Sequence, residues 1–235
     1  MDLEGLPVVV TGASGNLGAA VCKRLLADGA RVAALVTRAE SGDKLRAALG
    51  AGERVSTHLA DLGSQAAAEA ALAEAEARHG PLWGAVHTVG GWSGGKRVAE
   101  AEVADLDAML AVNLRTAFVV AGAAMRRFAE RRGGRLVTVA AFNVASGTRL
   151  AGNAAYAAAK AGLIALTRAL AEEGAPLGIR DNCIAPDTLR TPQNAAAMPS
   201  ADPSHWVSLE DAAAAIALLC SPACAANGSV LLVPG

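Results

Sequence analysis

Short apolar runs alternate with alanine-rich stretches at helical spacing along the whole 235-residue chain. No other feature restricts the fold as much, because strands separated by crossover helices pair in parallel within an open sheet. Leu6–Thr11, Arg31–Val36, Arg54–Ala60, Gly84–Val89, Arg135–Ala140, Ile179–Ala185 and Ser229–Val233 read as strands. Most are apolar without interruption, as strands buried on both faces should be. Asn16–Asp28, Ser64–Arg78, Val103–Arg131, Asn153–Glu173 and Leu209–Leu219 place apolar residues on one helical face and charges on the other. The expected fold class is α/β, a doubly wound parallel sheet of about seven strands with helices on both faces. One core serves a chain of this length, so residues 1–235 are expected to form a single domain. The irregular stretch Asp187–Ser208 holds three prolines and follows a strand. Open α/β sheets place ligands there, which makes 187–208 a candidate substrate loop.

Composition excludes some classes of partner. A formal net charge of −1 leaves no basic excess to track a phosphate backbone, and aromatics at 3% offer few platforms for bases. Nucleic acid is therefore not expected. The opening MDLEGLPVVV shows no secretory pattern, which points to a cytoplasmic protein. Ala212–Gly235 carries no charge, but Ser221-Pro222 and Asn227-Gly228 interrupt it, so no membrane span is expected. Cys220 and Cys224 have no second Cys or His pair near them in sequence. The four cysteines are read as free thiols, with no metal site.

The segment VVVTGASGNLGAAV joins the first strand to the first helix and carries glycines at 12, 15 and 18. Gly12 permits a tight turn, Gly15 lets backbone N–H groups approach a pyrophosphate, and Gly18 lets helix and strand pack closely. The helix N-terminus adds unpaired donors and a partial positive charge for the anion. Dinucleotide binding is the reading.

With this loop in place, the whole chain resembles the short-chain dehydrogenase/reductase family, whose fold is a Rossmann-type sheet. The resemblance implies cofactor contacts at Thr11, Gly12, Ser14, Gly15, Asn16, Leu17 and Gly18, with Asn16 standing where the family usually has glycine. It also implies that Asp61 in LADLG bonds the adenine amino group and that Leu62 flanks the ring, although Asp61 also suits a helix cap. An acid at the end of the second strand marks NAD preference in such proteins. Here Val36 and Thr37 occupy that place, and the guanidinium of Arg38 suits a 2′-phosphate, so NADP(H) is favoured and NAD(H) remains possible. In VHTVGG, His87 and Thr88 replace the family's paired asparagines while Gly90 remains. His87 is read as structural. After the sixth strand, IAPDTLRTP resembles the family's Pro-Gly segment, which adds Pro186, Thr188 and Thr191 as cofactor contacts, Thr191 for the carboxamide.

Tyr156 and Lys160 lie four apart in NAAYAAAKAGLIALTRAL, on the same face of one helix. A free phenol titrates near 10, and a neighbouring ammonium should lower that value. The resemblance makes this pair catalytic, with Lys160 also on the nicotinamide ribose, and adds Asn113 as the residue that holds a helix kink and a water leading to the lysine. Asn113 is an indifferent helix former inside a long predicted helix, which agrees with a special role.

One departure bears on the substrate. Where the family places a serine after the fifth strand, RLVTVAAFNVASG puts Ala141 by strand alignment, or Asn143 by counting back from Tyr156, with Ser146 the nearest hydroxyl. The quinonoid dihydropteridine reductase branch keeps the tyrosine and lysine without that serine, and the later TPQNAAAMPSADPSHWVSLEDA also resembles it, with Trp206 facing a flat substrate or packing the loop. The leading expectation is hydride transfer between NAD(P)H and a small carbonyl/alcohol pair. Reduction of a quinonoid pteridine, imine or other conjugated acceptor is the second, and a nucleotide sensor or scaffold with little turnover the third. Alanine-rich faces on Val103–Arg131 and Asn153–Glu173, a subunit interface in the family, predict a homodimer or homotetramer.

Overall fold

The computed structural model describes residues 2–235. Strand β1 (Pro7–Thr11) is buried along its entire length. Because successive side chains of a strand face opposite ways, its valines divide between two layers. Val8 and Val10 join one core cluster, and Val9 joins the other. β2 (Arg31–Val36) repeats the division, with Val32, Ala34 and Val36 on the first side and Ala33 and Leu35 on the second. Each fully buried valine or leucine contributes roughly 1.5–3 kcal/mol, so the register of the sheet is strongly specified.

The remaining strands are β3 (Val55–Leu59), β4 (Gly84–His87), β5 (Gly134–Val139), β6 (Ile179–Pro186) and β7 (Val230–Val233). Among the described residues the seven strands form one parallel sheet in the order β3-β2-β1-β4-β5-β6-β7. The chain runs outward from β1 to β3 and then returns to place β4 on the other side of β1. That reversal opens a crevice at the C-terminal ends of β1 and β4, where Thr11 lies opposite His87.

Helix α1 (Asn16–Ala27) follows β1, α2 (Ala39–Leu49) follows β2, and α3 (Gln65–His79) follows β3. α4 (Val103–Leu110) leads through a π-helical turn, Ala111–Arg115, into α5 (Thr116–Arg131). The single helix expected over Val103–Arg131 is thus continuous but carries one locally widened turn. Short α6 (Phe142–Ala145) and long α7 (Ala154–Gly174) lie between β5 and β6, while α8 (Pro192–Ala197) and α9 (Leu209–Cys220) lie between β6 and β7. Side chains of α1 and α9 fill the core on one face of the sheet, and those of α3 and α5 fill the other.

Three helices, α2, α6 and α8, go beyond the sequence expectation. α2 was hidden by Ser41-Gly42, which reads as a breaker, but a Cβ at Gly42 would come within 3.2 Å of both Val36 and Thr57. The glycine lets the helix sit directly on the sheet. α8 lies inside the stretch expected to be irregular, its start fixed by Thr191, whose Oγ1 accepts from the Asn194 N–H at 3.1 Å. Val103–Arg131 is long and apolar enough to cross a membrane, and in this fold it packs on β4, β5, α3 and α7.

Candidate active site

The turn after β1 is built around Gly12, whose φ of 65° is reached cheaply only without a side chain. Gly18 is required for a different reason, since a Cβ there would stand 2.2 Å from the Gly12 carbonyl oxygen. α1 begins with Gly15 as its N-cap, with no side-chain cap and no acid in its first turn. By contrast, Ser64, Thr191 and Ser208 cap α3, α8 and α9 through their side chains. The start of α1 therefore offers uncapped N–H donors at the crevice, which fits a pyrophosphate. Ser14 is exposed and Leu17 buried beside them, and Leu17 lines the cavity described below. Asn16 reaches across the crevice, its Nδ2 donating to Gln193 Oε1 of α8 at 2.6 Å.

Arg38 stands at the N-cap position of α2 without a side-chain capping bond and is exposed, as is Thr37, whereas Val36 is buried. No acid follows β2 before Glu40, which pairs with Lys44 at 2.6 Å. Asp61 accepts from the Gly63 N–H at 2.9 Å in a turn, and Leu62 is buried. Asp61 is not the cap of α3, a task that falls to Ser64.

Tyr156 and Lys160 sit on the first turns of α7, with the ammonium 5.9 Å from the centre of the phenol ring. Lys160 is buried and donates to the Val139 carbonyl at the end of β5, at 2.7 Å. Burial lowers its pKa to about 8. Burial also pushes the Tyr156 phenol up to about 12, against the lowering expected from the lysine. At 5.9 Å from the ring, the ammonium does not offset desolvation of the phenolate. The result is a neutral phenol beside a cation.

Asn113 lies fully buried inside the π turn. Its Nδ2 donates to the carbonyls of Gly91 at 2.9 Å and Met109 at 3.1 Å, and its Oδ1 accepts from the Gly91 N–H at 3.1 Å. This amide fastens the widened turn to the loop after β4. A Cβ on Gly90 would stand 2.9 Å from Asn113 Oδ1 and 3.2 Å from Lys160 Nζ. Asn113, Gly90 and Lys160 thus converge at one point.

His87 is buried between the two halves of the site. Thr116 Oγ1 spends its proton on the Val112 carbonyl at 2.8 Å, so it must accept from His87 Nε2 at 3.2 Å. Nδ1 then accepts from Thr11 Oγ1 at 2.9 Å. Burial, helped by the charge of Lys160, holds the imidazole down to about 3. It stays neutral and tethers the glycine turn to the exit of the π turn, the structural role expected of it. Thr88 donates to the Thr11 carbonyl at 2.7 Å from the same strand end.

Tyr156, Lys160, Ala141 and Gly90 share a cleft of about 560 Å³. Ala141 is in its wall, and Asn143 lines it too. Ser146 does not line it. Its hydroxyl lies 2.8 Å from Thr148 Oγ1 in an exposed turn. Trp206 is likewise absent from the lining and is buried next to Val207, the packing alternative for that residue. Pro186 and Thr188 line the cleft, whereas Thr191 is occupied in capping α8.

Trp92 and Arg149, which the sequence reading passed over, complete the cleft together with Asp187, the first residue of the candidate substrate loop. Trp92 lines it with 64% of its surface exposed, its Nε1 donating to Asn153 Oδ1 at 3.0 Å. Arg149 forms an ion pair with Asp187 at 2.7 Å in the wall of the cleft. The only signals in sequence were a lone tryptophan after Gly90-Gly91 and an acid in the family's glycine position.

Comparison with known proteins shows the family and the fold. A family model described as short chain dehydrogenase matches residues 7–201. D-threitol dehydrogenase of Mycolicibacterium smegmatis is 32% identical over 99% of this chain and 93% of its own length. Acetoacetyl-CoA reductase of an Acinetobacter species is 33% identical, covering 78% of this chain and 74% of that protein. Among solved structures, levodione reductase superposes with a TM-score of 0.90 at 27% identity, covering 99% of this chain and 97% of the other. NAD+-bound xylitol dehydrogenase gives 0.90 at 23% over the full length of both chains, a likeness of fold.

Proposed function

Because the chain belongs to the short-chain dehydrogenase family and is an NAD(P)-dependent oxidoreductase, we propose that it interconverts a small carbonyl compound and its alcohol through a Tyr156–Lys160 proton relay. The observation that carries this reading is the placement of a neutral phenol and a buried ammonium in one cleft that also reaches Leu17, on the first turn of the uncapped helix α1. The cofactor, when bound, supplies or accepts the hydride. A phenol held near 12 keeps its proton at neutral pH and can give it to the oxygen of a reduced carbonyl. Lys160 spends one of its three donors on Val139, which leaves two for the ribose and the relay. Asn113 fixes the loop bearing Gly90 and Gly91, which would form part of the wall that holds the cofactor. Exposed Arg38 and the lack of an acid beside it favour NADP(H).

Tyr156→Phe tests this directly. Turnover should fall by a thousandfold or so while NADPH affinity stays within a few-fold, since the phenol acts on the substrate. Full activity of this variant on every substrate would defeat the relay. A conjugated acceptor is the second reading, favoured by Ala141, which puts a methyl group in the cleft wall where a hydroxyl would polarise a carbonyl. Ala141→Ser should then help simple ketones more than conjugated acceptors. A homodimer or homotetramer in the cytoplasm, without nucleic acid or membrane, suits the exposed Phe118, Val103 and Leu106 on the α4–α5 run.

A further inference from the structure

From the polar side of the cleft we infer that the substrate is a neutral polyhydroxylated compound, a polyol or its keto-sugar partner, with the Arg149–Asp187 pair reading its hydroxyl groups. This rests on the reading of the cleft as the carbonyl/alcohol site. A hydroxyl group both donates and accepts, so a site that selects several of them needs both functions unspent and close together. Arg149 uses Nη2 on Asp187 at 2.7 Å, and among the described residues its guanidinium has no other hydrogen-bond acceptor. Its side chain is 60% exposed, so the remaining N–H donors face open space. Asp187 Oδ1 accepts from the Thr188 N–H at 2.8 Å and from its hydroxyl at 3.5 Å, while Oδ2 accepts from Arg149 alone and keeps a lone pair for a substrate hydroxyl.

The amides nearby add acceptors. Asn194 spends Nδ2 on the Leu189 carbonyl at 2.7 Å, and Asn143 reaches the Arg149 carbonyl only at 3.5 Å, so the side-chain oxygens of both have no donor among the described residues. Charge argues against an anion. The two charges at this side of the cleft neutralise each other, and Lys160 is withdrawn on Val139. Trp92, pinned at its Nε1 by Asn153, presents a largely exposed ring to the C–H face that a polyol chain also carries. Backbone geometry supports a dedicated position for Arg149: its φ is 52°, a left-handed conformation uncommon for a non-glycine residue, and Asn153 Nδ2 holds its carbonyl at 3.3 Å. In the reaction the carbonyl carbon gains hydride from the reduced nicotinamide and its oxygen gains the Tyr156 proton, which water restores.

The experiment compares kcat/KM for the four-carbon keto-triol erythrulose, both enantiomers, with 2-butanone, 2-oxobutanoate and butane-2,3-dione, using NADPH and NADH. One erythrulose enantiomer should exceed 2-butanone by about a hundredfold or more, at about 10- to 100-fold for each charge-assisted hydrogen bond. Arg149→Met and Asp187→Asn should each reduce that ratio at least tenfold, mainly through KM. Threitol should also raise the melting temperature of the NADPH complex, and Arg149→Met should abolish the shift. A ratio near one, a preference for 2-oxobutanoate, or a ratio unchanged in both variants would overturn the assignment. Reduction of butane-2,3-dione that is lost in Tyr156→Phe reports separately on the carbonyl relay, so the substrate class can fail while the relay stands. Absence of turnover with every ketone would overturn both.

Discussion

Replacing Asp181 with valine is expected to stabilise the protein at neutral pH. Asp181 lies in the middle of β6, fully inaccessible, and neither of its carboxylate oxygens has a hydrogen-bond partner. Burial raises its pKa well above the ordinary carboxylate value. Since the folded value exceeds the unfolded one, the contribution of this group to stability is fully present below about pH 3.9 and is lost as the pH rises toward the folded value, at about 1.4 kcal/mol per unit. The unpaired oxygens add about 1–3 kcal/mol at any pH. Valine has nearly the same volume and removes both costs, whereas Asp181→Asn removes only the titration. Denaturant unfolding of the three proteins from pH 4.5 to pH 8 separates the two. The Asn variant should gain on the parent by about 1.4 kcal/mol per unit until the folded pKa is reached, and the Val variant should exceed the Asn variant by about 1–3 kcal/mol throughout. For a chain of this size each kcal/mol is worth about 2–4 °C in Tm. A Val variant less stable than the parent at pH 7, or an Asn variant parallel to the parent across the range, would refute the reasoning.

His87 acts in the opposite sense: its pKa falls from 6.5 to about 3, so the stability it lends is present above pH 6.5 and is lost as the pH falls, by about 5 kcal/mol in all. His87→Asn should lose less stability than the parent between pH 7 and pH 4 in denaturant titrations, even though it starts lower. Arg38→Ala should weaken NADPH binding about tenfold and leave NADH binding nearly unchanged, and tighter NADH binding by the parent would argue against a 2′-phosphate contact. Phe118, 65% exposed on α5, should be covered in an assembly, so light scattering of Phe118→Lys should show a smaller species than the parent. A monomeric parent at micromolar concentration would remove that expectation.

The sheet, the glycine turn and the Tyr156–Lys160 pair were legible because each rests on local periodicity. Strands buried on both faces give uninterrupted apolar runs, and residues four apart on a helix must share a face. Gly12 and Gly18 could be assigned tasks because backbone conformation and close approach are requirements on single positions. α2 was missed because Gly42 serves close contact with the sheet, including Thr57 on a separate strand, and no local window of sequence contains that contact. The same blindness affected the cleft. Ser146 is close to Ala141 in the chain and turns away from the cavity, while Arg149 and Asp187 are 38 residues apart and meet.

By itself, then, the sequence determined the parallel α/β sheet and the placement of Tyr156 and Lys160 on one face of one helix, both of which follow from spacing along one element. Only the tertiary structure decided that burial raises rather than lowers the Tyr156 pKa, that His87 is a neutral tether, and that Trp92, Arg149 and Asp187 rather than Trp206 and Ser146 line the cleft. Desolvation and cross-chain pairing depend on what surrounds a group in three dimensions, and that is fixed only when distant segments pack together.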